Sequence, residues 1–310
     1  MTRVSTVGNY SSVLANLMAA QQRQIQAGET YSTQKNGTDL KAYARNAEML
    51  TAMRSIDTRV GGYIDQNKQI ADKLTTQDFA FGQISDSTAA TKQAITDALA
   101  SGRGDTLMLE LESQMRNTVQ ALNSRYGGKY LFSGGQIDTL PVTATNMASL
   151  TDPATPAVSD FFKNDQFITQ AKVDDATTVN TGFLASDVGT NLLQAYKDMQ
   201  AFQEGPDGPF NGTLTPNQEA FLQSQLDSWD KLHSDSINVA ARNGMLQSRV
   251  ESVAGDLDAR QTSLKGMMGD ITDADMAQAA TNLQQAQLAV QAATQVFLAL
   301  KESSLLNVLQ

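Results

Sequence analysis

The sequence predicts a mainly α protein: a long helical bundle or coiled coil built from both chain ends, with a small β-rich domain inserted in the middle. Three observations carry this prediction. All six prolines lie between Pro141 and Pro216, so the stretches on either side contain no strong helix breaker. Apolar residues hold heptad rows from Met49 to Ala98 and again from Leu222 to Ile271. Residues 136–216 carry ten acidic and three basic side chains, a net −7 of the chain's −10, which marks the middle as the solvated part. The expected organisation is residues 1–41 and 272–310 as terminal helices forming an inner coiled coil. Residues 42–135 and 185–271 then form the bundle core, and 136–184 a β-rich outer insert.

The first arm reads as one helix. Met49, Ile56, Tyr63, Ile70, Gln77, Ile84, Thr91 and Ala98 fall seven apart, and Met53, Val60, Asn67, Leu74, Phe81, Thr88 and Ile95 fall four after the first seven. At about 1.5 Å per residue it spans roughly 75 Å. Asn67, Gln77, Thr88 and Thr91 weaken the seam but fix its register. Ser101-Gly102-Arg103-Gly104 breaks the chain and Asp105 reads as the N-cap of a second helix on Met108, Leu111, Met115, Val119 and Leu122. Gly127-Gly128 is expected to stop that helix, with Lys129 to Gly135 a strand and turn. In the last arm Leu222, Trp229, Ser236, Asn243, Val250, Leu257, Leu264 and Ile271 repeat the heptad. Thr272 with Asp275 reads as a capping box that restarts the helix in a shifted register on Met276, Leu283, Val290 and Phe297.

Composition removes much chemistry. There is no cysteine, so no disulfide, thiolate nucleophile or Cys-ligated metal is possible. His233 is the only histidine, and a catalytic triad or a zinc site would have to run through it. A net charge of −10 disfavours nucleic acid and anionic membrane as partners. The first residues lack the continuous apolar run of a secretory signal peptide. Met276 to Leu300 has no ionisable side chain, but its six glutamines argue against a membrane span. No catalytic, cofactor-binding or metal-ligating residue is expected, and no cofactor.

The chain ends are distinctive. Val4 to Gln22, like Met276 to Leu300, contains no charge, yet both stretches have helical periodicity. A helix whose polar face is Gln, Asn, Ser and Thr suits surroundings where every face meets another helix, because neutral amides pair there while buried ions are costly. The expectation is an assembling protein whose ends fold on packing against neighbouring copies. The positions expected to form that interface are Val13, Leu14, Leu17, Met276, Leu283, Val290, Phe297, Leu300, Leu305 and Leu306.

These residues lead to a family. Gly269-Asp270-Ile271-Thr272-Asp273-Ala274-Asp275-Met276-Ala277 resembles the opening of the C-terminal helix of flagellins, and the Gln- and Ala-rich stretch through Leu309 resembles that helix. Tyr31-Ser32-Thr33-Gln34-Lys35 is similar to the family's Leu-Ser-Thr-Gly-Lys/Arg motif, with Gln34 where the family carries glycine. Gly127 to Gly135, followed by Thr139-Leu140-Pro141-Val142, resembles a segment of the hook–filament junction members of this superfamily. Ala185 to Leu192 is similar to their return into the helical domain. The resemblance covers roughly residues 1–135 and 185–310. It implies a structural subunit of the bacterial flagellum, not an enzyme, that joins hook to filament by self-assembly through its terminal helices. The alternative it leaves is a divergent filament flagellin. Implied partners are copies of the same chain, a neighbouring hook-associated protein, flagellin and an export chaperone. Implied localisation is extracellular, after export through the flagellar type III apparatus without a cleaved signal peptide.

Other patterns have plainer readings. Arg103-Gly104-Asp105 spells an adhesion tripeptide but sits where a helical hairpin turns. Asp256 with Asp258, and Asp273 with Asp275, are two apart and do not share a helix face, so they read as solvated or capping. The sequons at Asn9, Asn36 and Asn211 are short patterns that recur by chance. Trp229 lies in a heptad row and reads as core.

Overall fold

The computed structural model describes residues 2–37 and 39–306, with side chains described from residue 10 to 301. The helices are α1 (Thr2–Thr33), α2 (Ala47–Ser101), α3 (Leu107–Leu122), α4 (Met147–Leu150), α5 (Ala185–Glu204), α6 (Pro216–Thr272) and α7 (Met276–Leu306). Two antiparallel hairpins accompany them among the described residues: β1 (Arg125–Tyr126) with β2 (Lys129–Tyr130), and β3 (Gln170–Lys172) with β4 (Thr178–Asn180). The mainly α class therefore holds, and both long heptad arms are single helices. The chain forms two compact units, residues 1–59 with 260–310 and residues 60–259, so the divisions fall inside α2 and α6.

The larger unit is a bundle. Its core joins Phe81, Ile84 and Ile95 of α2 to Leu111 and Met115 of α3, Leu192 and Met199 of α5, and Leu222 and Trp229 of α6. Tyr196 and Trp229 are both fully buried and meet edge to face at 4.8 Å between centroids. The Tyr196 hydroxyl lies 3.0 Å from Thr91 Oγ1, and burial pushes its pKa up to about 12. Helix α5 was not anticipated by the heptad rows. It is only 20 residues long, and its apolar positions repeat over too few turns to stand out between flanking prolines.

Polar seam residues are held by the backbone they face. Asn67 Nδ2 donates to Val173 O at 3.0 Å, Gln77 Nε2 to Thr181 O at 3.1 Å, and Asn243 Nδ2 to Leu74 O at 2.9 Å. The first two tie the β3–β4 region to α2. Val173 and Val179 pack there on Ile70, Leu74 and Val250. Val142, Met147, Leu150, Val158 and Phe161 join the main core. Residues 136–184 thus share the cores of this unit, and most of the segment is irregular, with one short hairpin, the four-residue α4 and a four-residue 3-10 helix at Val158–Phe161.

Two local expectations need correction here. Asp105 does not cap α3; Thr106 occupies that position and makes no side-chain cap bond. Asp105 instead accepts from the Gly212 N–H and from Arg103 Nε, each at 2.8 Å, which lowers its pKa, and Gly104 N donates to Gly212 O. A nearby backbone outcompetes the helix end because residues 102–104 pair with 212–214. Nor does Gly127-Gly128 end α3, which stops at Leu122. Both glycines have positive φ, +57° and +82°, and form the two-residue turn of the β1–β2 hairpin, a geometry that favours glycine twice over.

The smaller unit contains α1 and α7 packed antiparallel: Tyr10 meets Phe297 at 5.3 Å at one end, and Lys35 faces Asp273 at the other. A clasp closes that second end. Asn36 N donates to Thr272 O, Ala274 N donates to Gln34 O, and Asn36 Nδ2 donates to Asp273 O. The Lys35 ammonium pairs with the Asp273 carboxylate, and Tyr43 Oη donates toward Gly37 O at 2.8 Å and Thr272 O at 3.2 Å. Gln34 adopts φ +57°, so the left-handed geometry that glycine would supply is kept by glutamine, at a cost of about 1 kcal/mol. Thr272 is not a cap. It is the last residue of α6, and Asp275 alone caps α7, accepting from Ala277 N at 2.9 Å and Gln278 N at 3.2 Å.

Two outcomes are expected. Replacing Trp229 with alanine should lower the unfolding free energy by about 3–5 kcal/mol in denaturant titration, because the ring is fully enclosed. The Lys35 hydrogen bond, then that of Thr272, hold the Asp273 pKa below its ordinary value. Since the folded pKa is depressed, the clasp's stability is present above about pH 4 and is lost as pH falls through the folded value. Amide exchange at Asn36 and Ala274 should therefore speed up, relative to the intrinsic rate, below that pH. The Asp273→Asn variant should show weaker protection with little of this dependence.

Candidate assembly site

Helices α1 and α7 carry almost no charge. In α1 the charged residues are Arg3, Arg23 and Glu29, and in α7 they are Lys301 and Glu302. Their shared seam is thin. Among the described side chains only Ala20 of α1 and Ala279 of α7 are buried. Val13, Leu14 and Leu17, with Met276, Leu283, Val290, Phe297 and Leu300, are half-buried along these two helices. The side chains of Leu305 and Leu306 lie outside the described residues. The sequence-derived interface positions therefore turn mainly toward the partner helix of the same chain.

A second set of apolar residues on these helices faces solvent. Met18 is 61% exposed, Ile25 58%, Leu288 58%, Val296 51% and Leu298 50%. Heptad reading missed them because they fall outside the row that locks α1 to α7. The signal that finds them is apolar residues on more than one face of a helix with no charge between. Beside the seam lies a shallow groove of about 490 Å³, lined by Ala27, Ala279, Ala286 and Ala289 together with Gln26 and Gln285. Small side chains leave room for the ridge of another helix, and Arg23 is the one charged residue on the lining.

The residues singled out for chemistry are otherwise engaged. His233 Nδ1 lies 3.1 Å from Thr88 Oγ1, joining α6 to α2, and the neighbouring Asp230 pairs with Lys92. Among the described residues no three His, Asp or Glu side chains are grouped so as to hold a metal ion. Among them, too, no helix is long and apolar enough to cross a membrane.

Residues 226–309 match the family model for the bacterial flagellin C-terminal helical region. No curated protein matches the chain in sequence. Among solved structures the fold is similar to that of a flagellar hook-associated protein from Vibrio parahaemolyticus, with TM-score 0.58 and 15% identity over 73% of this chain and 97% of that one. It is similar as well to Bacillus cereus FlgL, TM-score 0.54 at 15% identity over 71% and 99%, and to Xanthomonas campestris FlgL, TM-score 0.53 at 15% identity over 71% and 99%. The C-terminal part of the chain is thus similar to the flagellin C-terminal helical region, and the fold is similar to that of flagellar hook-associated proteins.

Proposed function

We propose that this chain is a structural subunit of the bacterial flagellum that joins hook to filament, assembling through its terminal helices. One observation carries the reading: α1 and α7 bury only one thin seam between them and leave Met18, Ile25, Leu288, Val296 and Leu298 in solvent on surfaces almost free of charge. Each such side chain contributes roughly 1.5–3 kcal/mol once fully buried, so packing against the same helices of neighbouring copies stabilises both. The flagellin match to the C-terminal region and the hook-associated fold support the setting. In this reading the mechanism is mechanical, with repeated helix contacts transmitting load, and no reaction is involved. The partners are further copies, the adjoining hook-associated subunit, flagellin, and an export chaperone that covers the apolar C-terminal helix before assembly. The site of action is outside the cell, after flagellar type III export.

The test is incorporation in flagellated cells of the strain that encodes the chain. Removing residues 276–310 should abolish incorporation, and a truncated chain that still assembles would refute the proposal. Leu288→Asp, at an exposed position, should change monomer stability by no more than about 0.5 kcal/mol yet block incorporation. Labelled chain should mark a single zone just beyond the hook. Label along the whole filament would instead assign the chain to the filament.

A further inference from the structure

The larger unit carries an apolar knob and a groove that match each other but cannot meet within one molecule. Phe79 on α2 is 74% exposed, as unusual for a phenylalanine as Leu109 is for a leucine on α3. Two residues along, Phe81 packs inward and meets Phe183 edge-on at 4.9 Å. Two residues turn a helix by about 200°, so Phe79 looks away from Phe183. Seven residues to either side of Phe79 stand Asp72 and Asp86, both exposed, in line with it along the helix.

The groove has a volume of about 450 Å³ and is lined by the half-buried Phe183 and Leu246 together with the exposed Ile168 and Met245. Arg242 and Arg249 flank it one heptad apart on α6, and the Arg242 guanidinium lies 5.7 Å from the Phe183 ring centroid. Asp187 is the one carboxylate on the lining against two guanidiniums, so the groove is net positive.

We infer that the groove receives Phe79 of a second copy of this chain, with its flanking Asp86 set against Arg249. Phe79 offers the larger apolar side chain, and both residues one heptad from it are carboxylates, whereas Leu109 has Arg116, paired with Glu112, one heptad on. Because knob and groove lie on different surfaces of one chain, the contact is heterologous. Each copy offers a knob to the next, which builds rings or open helical arrays and not closed pairs. The inference extends the structural-subunit reading by naming a contact outside the terminal helices, and it rests on that reading only for its biological setting.

The absence of native cysteine makes the test direct. Full-length purified Phe79→Cys and Met245→Cys variants are mixed and oxidised, with Leu109→Cys plus Met245→Cys as the control pair. The mixed F79C–M245C disulfide should form at least about tenfold faster than the control, since docking raises the local concentration of the two thiols. Arg249→Asp in the M245C chain should slow it, and Asp86→Arg in the F79C chain should restore it. No preference over the control at concentrations up to about 1 mM, or no rescue by the charge exchange, would overturn the inference. Because this assay uses purified protein, its result is independent of whether the chain is found in flagella.

Discussion

Everything distinctive about this protein depends on a packing deficit at its ends. Two helices of 32 and 31 residues are paired by a seam in which two alanines are the only buried described side chains. A bundle core of this size normally encloses many large side chains, as α2 and α6 do around Trp229, Tyr196 and Phe81. Alone, an αα pair with half-buried contacts offsets little of the entropy of ordering some sixty residues. Its near-absence of charge tells the same story from the other side. A solvated helix gains from exposed ions, whereas a helix enclosed by others would have to desolvate them.

The well-packed unit supplies the contrast. Its polar seam residues are not defects. Asn243 hands an amide N–H from α6 to Leu74 O of α2, which penalises a slip of the two long helices by a heptad, while Asn67 and Gln77 tie α2 to the carbonyls of Val173 and Thr181. Such register devices matter for helices of 55 and 57 residues, where uniform apolar rows would fit in several alignments.

How much was legible in the sequence follows from range. The long helices were legible because a period repeated seven times outweighs any single residue. The small α5 was legible only through the resemblance of Ala185 to Leu192 to a return into the helical domain, since its own period repeats too few times. Caps and turns were misread for a different reason. Asp105 and Thr272 both have the right chemistry for a helix start, but Gly212 and the α7 cap Asp275 compete for those places, and proximity in space is not written in local order. The candidate site was half legible. The uncharged ends pointed to assembly, but the heptad rows selected the residues that join α1 to α7, not those left over. The exposed set, with Met18 and Leu288 in it, emerges only once it is known which face the partner helix covers.

The most direct measurement is residue-resolved hydrogen exchange on the free, full-length chain at neutral pH. If the terminal pair lacks sufficient packing of its own, amides of α1 and α7 exchange orders of magnitude faster than those of α2 and α6 between residues 60 and 259, and become protected only in the assembled state. Protection of α1 and α7 in the free chain equal to that around Trp229 would contradict the account.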